Sequence, residues 1–161
     1  AVEAVQSYRQ SSKAYAPADA ALAARMSNGS IGTAIGFDPE KLRANRDQML
    51  DLVESAFIRR DIPGVLRASE LLNDAKNKDD LELNLALLEL LLRDLWLMKN
   101  GMPAADLANS DQENSLRAIA GHVSVGHVAS AVADIETFRQ TMDVNVNKKI
   151  AADALFAKMA A

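Results

Sequence analysis

Apolar side chains recur at every third or fourth position along most of the chain, which is the spacing of one face of an α-helix. Leu42, Met49, Leu52 and Val53 show this spacing, and similar patterns follow in the later segments. Sustained alternation of apolar and polar residues, which would indicate a strand, is nearly absent. The pattern therefore predicts roughly eight helices and an all-α fold.

Cap and turn residues divide this pattern into separate helices. Asp38-Pro39-Glu40 combines an N-cap residue, a proline in the first turn and an acid near the positive end of the helix dipole. Ser124 and Asn147 can cap two later helices, and Asn100-Gly101 is typical of a helix end. A short helix is also expected at 31–37.

The character of the sequence changes at residue 38. Residues 1–37 are rich in Ala and Ser, whereas longer, Leu-rich helical patterns fill residues 38–161, so we expect a boundary between two units there. The chain begins with Ala1 and not with Met, and its first residues have helical spacing without a preceding N-cap. We therefore expect a C-terminal fragment of a longer protein.

The segment Leu81–Met98 is the most apolar helix of the chain, and its leucines surround nearly the whole helix. Such a helix is buried on most sides, either by neighbouring helices of its own domain or, on one face, by a partner subunit. Glu82, Glu89 and Arg93 line one side as a solvated stripe or an ion pair. These charges, with Asp94, argue against a membrane span, because each costs about 2.5–3.5 kcal/mol at a bilayer centre.

The overall composition narrows the functional classes. The net charge is −4 and the isoelectric point is about 5.2, whereas a free-standing DNA-binding module is usually basic. The sequence contains no Cys, which excludes disulfides, thiolate zinc sites and thiol nucleophiles and fits a reducing compartment. No basic segment followed by an apolar one opens the chain, so we expect a cytoplasmic location.

No group of residues has the spacing of a catalytic or metal site. His122 and His127 are five positions apart across a predicted helix start, whereas a metal pair on one helix face needs a spacing of three or four. Acids such as Asp38 and Asp61 stand where helices begin, and capping explains them. No phosphate loop of the Gly-x-x-x-x-Gly-Lys type occurs. We therefore predict no catalytic, cofactor or metal site in this chain.

Three stretches resemble the clamp-loader proteins of the AAA+ class, in the same order and with similar spacing. Residues 27–35 (Ser-Asn-Gly-Ser-Ile-Gly-Thr-Ala-Ile) resemble the Gly-Ser-Pro-Gly-Arg-Ala-Leu segment of the family's lid domain. Residues 91–101 (Leu-Leu-Arg-Asp-Leu-Trp-Leu-Met-Lys-Asn-Gly) resemble the Leu-Leu-Arg-Asp-Leu-Leu run of its collar domain. Residues 145–147 (Asn-Val-Asn) resemble the start of its last collar helix. Within the family, the set is most similar to the delta-prime type of bacterial DNA polymerase III.

The resemblance implies a remnant of the AAA+ lid domain over residues 1–37 and a helical collar domain over residues 38–161. In this family, the collar domains of five subunits pack into a ring that holds the ATPase domains, which place the sliding clamp on primed DNA. The implied partners are therefore gamma/tau-type and delta-type subunits, within a DNA polymerase holoenzyme. DNA contact is expected mainly from domains upstream of Ala1.

The same resemblance implies roles for individual residues. Gly32 stands where ATP-hydrolysing members carry a sensor arginine, so the lid is not expected to contact nucleotide through that position. The residues expected at a subunit interface are Arg93, Trp96, Asn145 and Asn147. Two other hypotheses are a general helical adaptor that binds a partner protein in a groove, and an enzyme with its site inside a helical bundle. The lack of inward histidines and paired carboxylates argues against the enzyme.

Overall fold

The computed structural model describes residues 2–13, 16–27, 38–73, 81–142 and 147–161. Within these ranges the helices are α1 Val2–Lys13, α2 Pro17–Met26, α3 Pro39–Glu54, α4 Ile62–Asn73, α5 Leu81–Lys99, α6 Glu113–Ala120, α7 Val125–Met142 and α8 Lys148–Ala160. A π-helical turn, Ser55–Arg59, continues α3, and two short 3-10 helices, Ala104–Asp106 and Ser110–Gln112, lie between α5 and α6. The described residues contain no strand, which confirms the all-α prediction.

The predicted cap residues satisfy backbone groups at the helix ends. Asp38 Oδ1 accepts hydrogen bonds from the backbone N–H groups two and three residues later, at 3.0 and 3.5 Å. Asn147 Oδ1 does the same at 3.1 and 3.3 Å, and Ser124 Oγ accepts from the N–H of His127 at 3.0 Å. Gly101 has a φ of +80°, the left-handed conformation with which many helices end.

Helices α3 to α8 form a bundle around α5. Helix α5 packs against α3, α6 and α7, and α8 packs against α4 and α7. Apolar side chains from all of these helices make one continuous core. Its fully buried large members are Phe57, Phe156, Leu42, Met49, Leu52, Leu85, Leu87, Leu88, Leu91 and Leu92, together with Leu22 of α2.

Helices α1 and α2 pack against each other, and α2 also packs on α3. Leu22 and Ala23 of α2 join the main core, and Arg43 Nε of α3 donates a hydrogen bond to Asp19 Oδ1 of α2 at 3.1 Å. Helix α2 is therefore attached to the bundle by apolar contact and by an ion pair. The boundary at residue 38 between a lid remnant and a collar stays a prediction.

Asn145, which is predicted at a subunit interface, and Gly32, which stands at the sensor-arginine position, lie outside the described residues. The short helix expected at 31–37 also lies outside them. In the part of the chain that is described, no single helix is long and apolar enough to cross a membrane. One helix pair, 110–120 with 125–141, has the length and composition to do so, but it bends by 113° at its break.

The passage from α3 to α4 contains a turn that helical spacing does not predict. The sequence pattern ends the long helix at Asp61-Ile62-Pro63, whereas the structure changes from α- to π-helix at Ser55 and places Arg60 in the left-handed region, with a φ of 49°. Asp61 Oδ1 then accepts a hydrogen bond from the N–H of Gly64 at 3.0 Å and so caps α4. The capping role expected of Asp61 is thus confirmed.

Candidate subunit interface

One stripe of α5 faces outward while the other sides of the helix are covered by its own domain. The stripe has alternating spacings of four and three residues, and its members are Glu82, Ala86, Glu89, Arg93, Trp96 and Asn100. The leucines of the helix are buried or half-buried against the core. Neighbouring helices of the same chain thus supply most of the cover that the Leu-rich pattern requires.

The first half of this stripe is paired with α7. Arg139 Nη1 donates to Glu89 Oε1 at 2.5 Å, and Arg139 Nε donates to Glu82 Oε2 at 3.4 Å. Burial lowers the pKa of Arg139, but hydrogen bonding and attraction from Glu89 and Glu82 outweigh it and hold that pKa above its ordinary value. The two acids therefore form ion pairs, one of the two alternatives left open by the sequence, and their partner is Arg139 and not Arg93.

The second half of the stripe presents a cation and an aromatic ring to solvent. The Arg93 side chain is 45% exposed, and Trp96, one helical turn later, is 43% exposed. The Arg93 guanidinium lies 3.5 Å from the nearer carboxylate oxygen of Asp94. Arginine and tryptophan are the residue types that most often dominate the binding energy of protein interfaces. Their placement on one face makes this half the candidate interface.

Asp94 has a structural role that the helical spacing did not predict. Its side chain has no exposed area, and its two oxygens accept hydrogen bonds from Ala108 N at 3.0 Å and from Asn109 N and Nδ2 at 2.8 Å each. The carboxylate thus ties the connection after α5 to the helix that carries Arg93 and Trp96. An acid among buried leucines is the sequence signal that could have indicated this role.

A buried arginine holds the same connection on its other side. Arg46 of α3 is almost fully buried, and its Nη1 donates to Asp111 Oδ1 at 3.0 Å. It also lies 3.3 Å from Asp47 Oδ1. The connection is therefore bound to both α3 and α5, and these contacts hold the end of α5 that carries Arg93 and Trp96 in place.

Asn147 lies on a different helix from Arg93 and Trp96. It caps α8, whose main contacts are with α4 and α7, and its side-chain oxygen is used by the helix N-terminus. Ile150, one turn later, is 65% exposed and is the most exposed large apolar residue among those described. The structure therefore brings together two of the predicted interface residues and places the third elsewhere.

Several exposed basic side chains of the described residues have acidic partners. Arg59 lies 2.7 Å from Asp51, and Lys149 Nζ lies 2.9 Å from Glu70. Arg67 lies 3.9 Å from an Asp61 oxygen. Within the described ranges these groups therefore form a surface of mixed charge, without a continuous basic stripe of the kind that binds a phosphate backbone.

The two histidines make contacts with the protein itself. His122 Nδ1 is 2.9 Å from the Ala118 carbonyl oxygen, and the half-buried His127 ring lies 4.9 Å from the Phe57 ring, centroid to centroid. Among the described residues, no three His, Asp or Glu side chains are grouped as metal ligands would be.

Residues 44–156 match the family model described as DNA polymerase III, delta subunit, C terminal. The match covers more than two thirds of the 161 residues. The chain belongs to this family. It is therefore part of a clamp-loader subunit of DNA polymerase III, and other subunits of the replication complex are its partners. The matched range of this delta-family domain runs from α3 to α8 and includes Arg93, Trp96 and Asn147. No match was found among curated proteins or among solved structures.

Proposed function

We propose that the chain is the C-terminal scaffold of a delta-prime-type clamp-loader subunit, acting in the bacterial cytoplasm. Residues 1–37 are the end of an AAA+ lid domain and residues 38–161 are the collar domain. Three ordered stretches of sequence support the delta-prime type, and Gly32 in place of a sensor arginine agrees with it. The delta-family match supports the wider assignment to a clamp loader.

The work of this domain is assembly, with no catalytic step or cofactor of its own. The observation that carries the proposal is a self-sufficient helical core combined with an open half-stripe on α5, where Arg93 and Trp96 are exposed together. A ring subunit must fold by itself and still offer a specific surface to its neighbour. The proposed neighbours are the collar domains of gamma/tau-type and delta-type subunits.

Reconstitution with purified partners tests the proposal. The chain is mixed with gamma-type and delta-type subunits at about 50 μM each, enough to populate complexes with micromolar Kd, and the mass is measured by light scattering. A delta-prime-type chain joins the mixture that contains gamma and delta. If it joins only when a delta-prime-type subunit replaces delta, the chain is of the delta type. No complex in either mixture would contradict the collar assignment and favour a general adaptor.

Trp96→Ala separates an interface role from a structural one. Because Trp96 is 43% exposed, we expect the variant to keep its circular dichroism spectrum and melting temperature, while its affinity in the reconstitution falls at least about tenfold. Ile62→Ala is the matched control, since Ile62 on α4 is also 43% exposed. Equal losses for both variants, or an unfolded Trp96→Ala chain, would contradict the interface role.

A further inference from the structure

The outer face of the first half of α7 is apolar and carries no formal charge. Val125 and Val132 are both 38% exposed, and Ala129 is exposed between them, at spacings of four and three residues. The whole segment 128–133 contains no Asp, Glu, Lys or Arg. Asp134, which follows this segment, is paired with Lys158 of α8, and Glu136 is the next charged residue on the outer face.

The ion pairs described above fix how α7 lies against α5. Lys99 Nζ at the end of α5 donates to the carbonyl oxygen of Ala120, the last residue of α6 and five residues before α7 begins, at 3.0 Å, so the start of α7 lies near the end of α5 and the two helices run antiparallel. Towards the other end of α7, Arg139 reaches Glu89.

This register places the exposed apolar residues of the two helices side by side. Trp96 comes seven residues after Glu89 and Val132 comes seven residues before Arg139. Arg139 also bonds Glu82, so its level on α5 lies between Glu82 and Glu89; at a rise of 1.5 Å per residue, Val132 lies about 10 Å further along, beside the turn from Arg93 to Trp96. Trp96, Val132, Ala129 and Val125, with Arg93 beside them, thus form a single surface, which we call the α5–α7 patch.

The charge of the patch indicates what covers it. Arg93 is its cation, and the neighbouring Asp94 is committed to three hydrogen bonds from Ala108 and Asn109. The patch itself contains no carboxylate, and Glu89 at its edge is already paired with Arg139, so a second copy of the same patch would bring two Arg93 cations together. A different subunit with an acid at this place is therefore the complementary occupant.

We propose that the α5–α7 patch docks one helix of a neighbouring clamp-loader subunit, which presents an apolar stripe to Trp96 and Val132 and a carboxylate to Arg93. The spacing of four and three residues on both helices matches the ridges of a packed helix. The proposal rests on the proposed function and deepens it, because it adds α7 to the interface and states the chemistry of the partner.

Val132→Glu tests the contribution of α7 in the reconstituted complex. We expect its affinity for the partner subunits to fall at least about tenfold, since a carboxylate would be placed against apolar surface. Ser130→Glu is the matched control: it adds the same charge at an exposed position two residues before Val132, about 200° round the helix and so on its other side, and its affinity should stay within about twofold of wild type. Circular dichroism checks folding, and Val132→Ser replaces Val132→Glu if that variant does not fold.

Arg93→Gln tests the proposed carboxylate. We expect weaker binding and a smaller dependence of Kd on NaCl concentration, whereas Val132→Ser should weaken binding and leave the salt dependence as in wild type. An unchanged salt dependence for Arg93→Gln would overturn the proposed pairing. A wild-type homodimer that Val132→Glu abolishes would overturn the choice of partner.

The outcomes separate this inference from the proposed function. If the wild-type chain joins no complex, the proposed function fails. If the wild-type chain assembles and Val132→Glu assembles equally well, the α5–α7 patch is wrong and the collar assignment stands.

Discussion

Asp94→Asn should lower the free energy of unfolding, although Asn and Asp have nearly the same size and shape. The carboxylate is fully buried, with one oxygen 3.0 Å from Ala108 N and the other 2.8 Å from both Asn109 N and Asn109 Nδ2. In Asp94→Asn, an amide oxygen can keep the two bonds from Asn109. The amide NH₂ group then faces the N–H of Ala108, so two donors meet in a buried place.

The size of the effect follows from these three bonds. A hydrogen bond to a charged group contributes about 1.5–3 kcal/mol, and a buried donor without an acceptor costs about 1–3 kcal/mol. Losing one such bond and weakening the other two should reduce the free energy of unfolding by about 2–4 kcal/mol. For an m-value of about 2 kcal/mol per M, the urea midpoint would fall by about 1–2 M.

Urea unfolding of the whole chain, followed by circular dichroism at 222 nm, measures this change. Asp106→Asn serves as the control, because Asp106 is an exposed acid in the same connection and its substitution should change stability by less than about 0.5 kcal/mol. If the midpoint of Asp94→Asn equals that of Asp106→Asn, the buried carboxylate does not hold the connection and the argument is refuted.

Three further predictions concern other contacts. A double-mutant cycle of Arg139→Gln and Glu89→Gln should give a coupling energy of about 0.5–1 kcal/mol in urea unfolding, since both side chains are partly exposed; additive effects would contradict the pair. A hydrogen bond from Lys149 of α8, together with its positive charge, holds the pKa of Glu70 below its ordinary value of 4.5. The pair should therefore stabilise the fold above pH 4.5, and this stabilisation should be lost as the pH falls through the lowered pKa. Carbon-13 NMR titration of the Glu70 carboxyl checks this, and a pKa at the ordinary value would disprove it. Gly101→Ala should lower the free energy of unfolding by about 1 kcal/mol, because Gly101 has a φ of +80°. Gly126→Ala, in the first turn of α7, should be neutral or stabilising, and thermal unfolding of the two variants compares them.

The helices and their caps could be predicted because the interactions that define them are local. Asp38 and Asn147 bond to N–H groups only two and three residues away, so the types of the neighbouring residues were sufficient. The π-helical turn at Ser55–Arg59 could not be predicted in this way. Its residues have the same spacing as the helix before them, and the turn places Phe57 in the core and against His127, which is distant in the sequence.

The candidate interface could be predicted only in part, for the same physical reason. Arg93 and Trp96 are three residues apart on one helix, so their common face follows from helical geometry. The partners of Arg139 lie 50 and 57 residues away from it. No local pattern gives that pairing, and without it the level of Val132 against Trp96 cannot be known. The buried contacts of Asp94 likewise join residues fourteen and fifteen positions apart.

The exposed Trp96 ring on α5 is an intrinsic fluorescence probe. Trp96 is the sole tryptophan of the sequence, so excitation at wavelengths that avoid tyrosine reports on this one position. The indole emission maximum depends on whether water surrounds the ring. Docking of a helix over the ring would shift its emission to shorter wavelength, and stopped-flow mixing with tryptophan-free partners would follow the rate of assembly without a label. Unfolding, by contrast, would shift the emission to longer wavelength, because the part of the ring that is covered in the folded chain then becomes exposed to water.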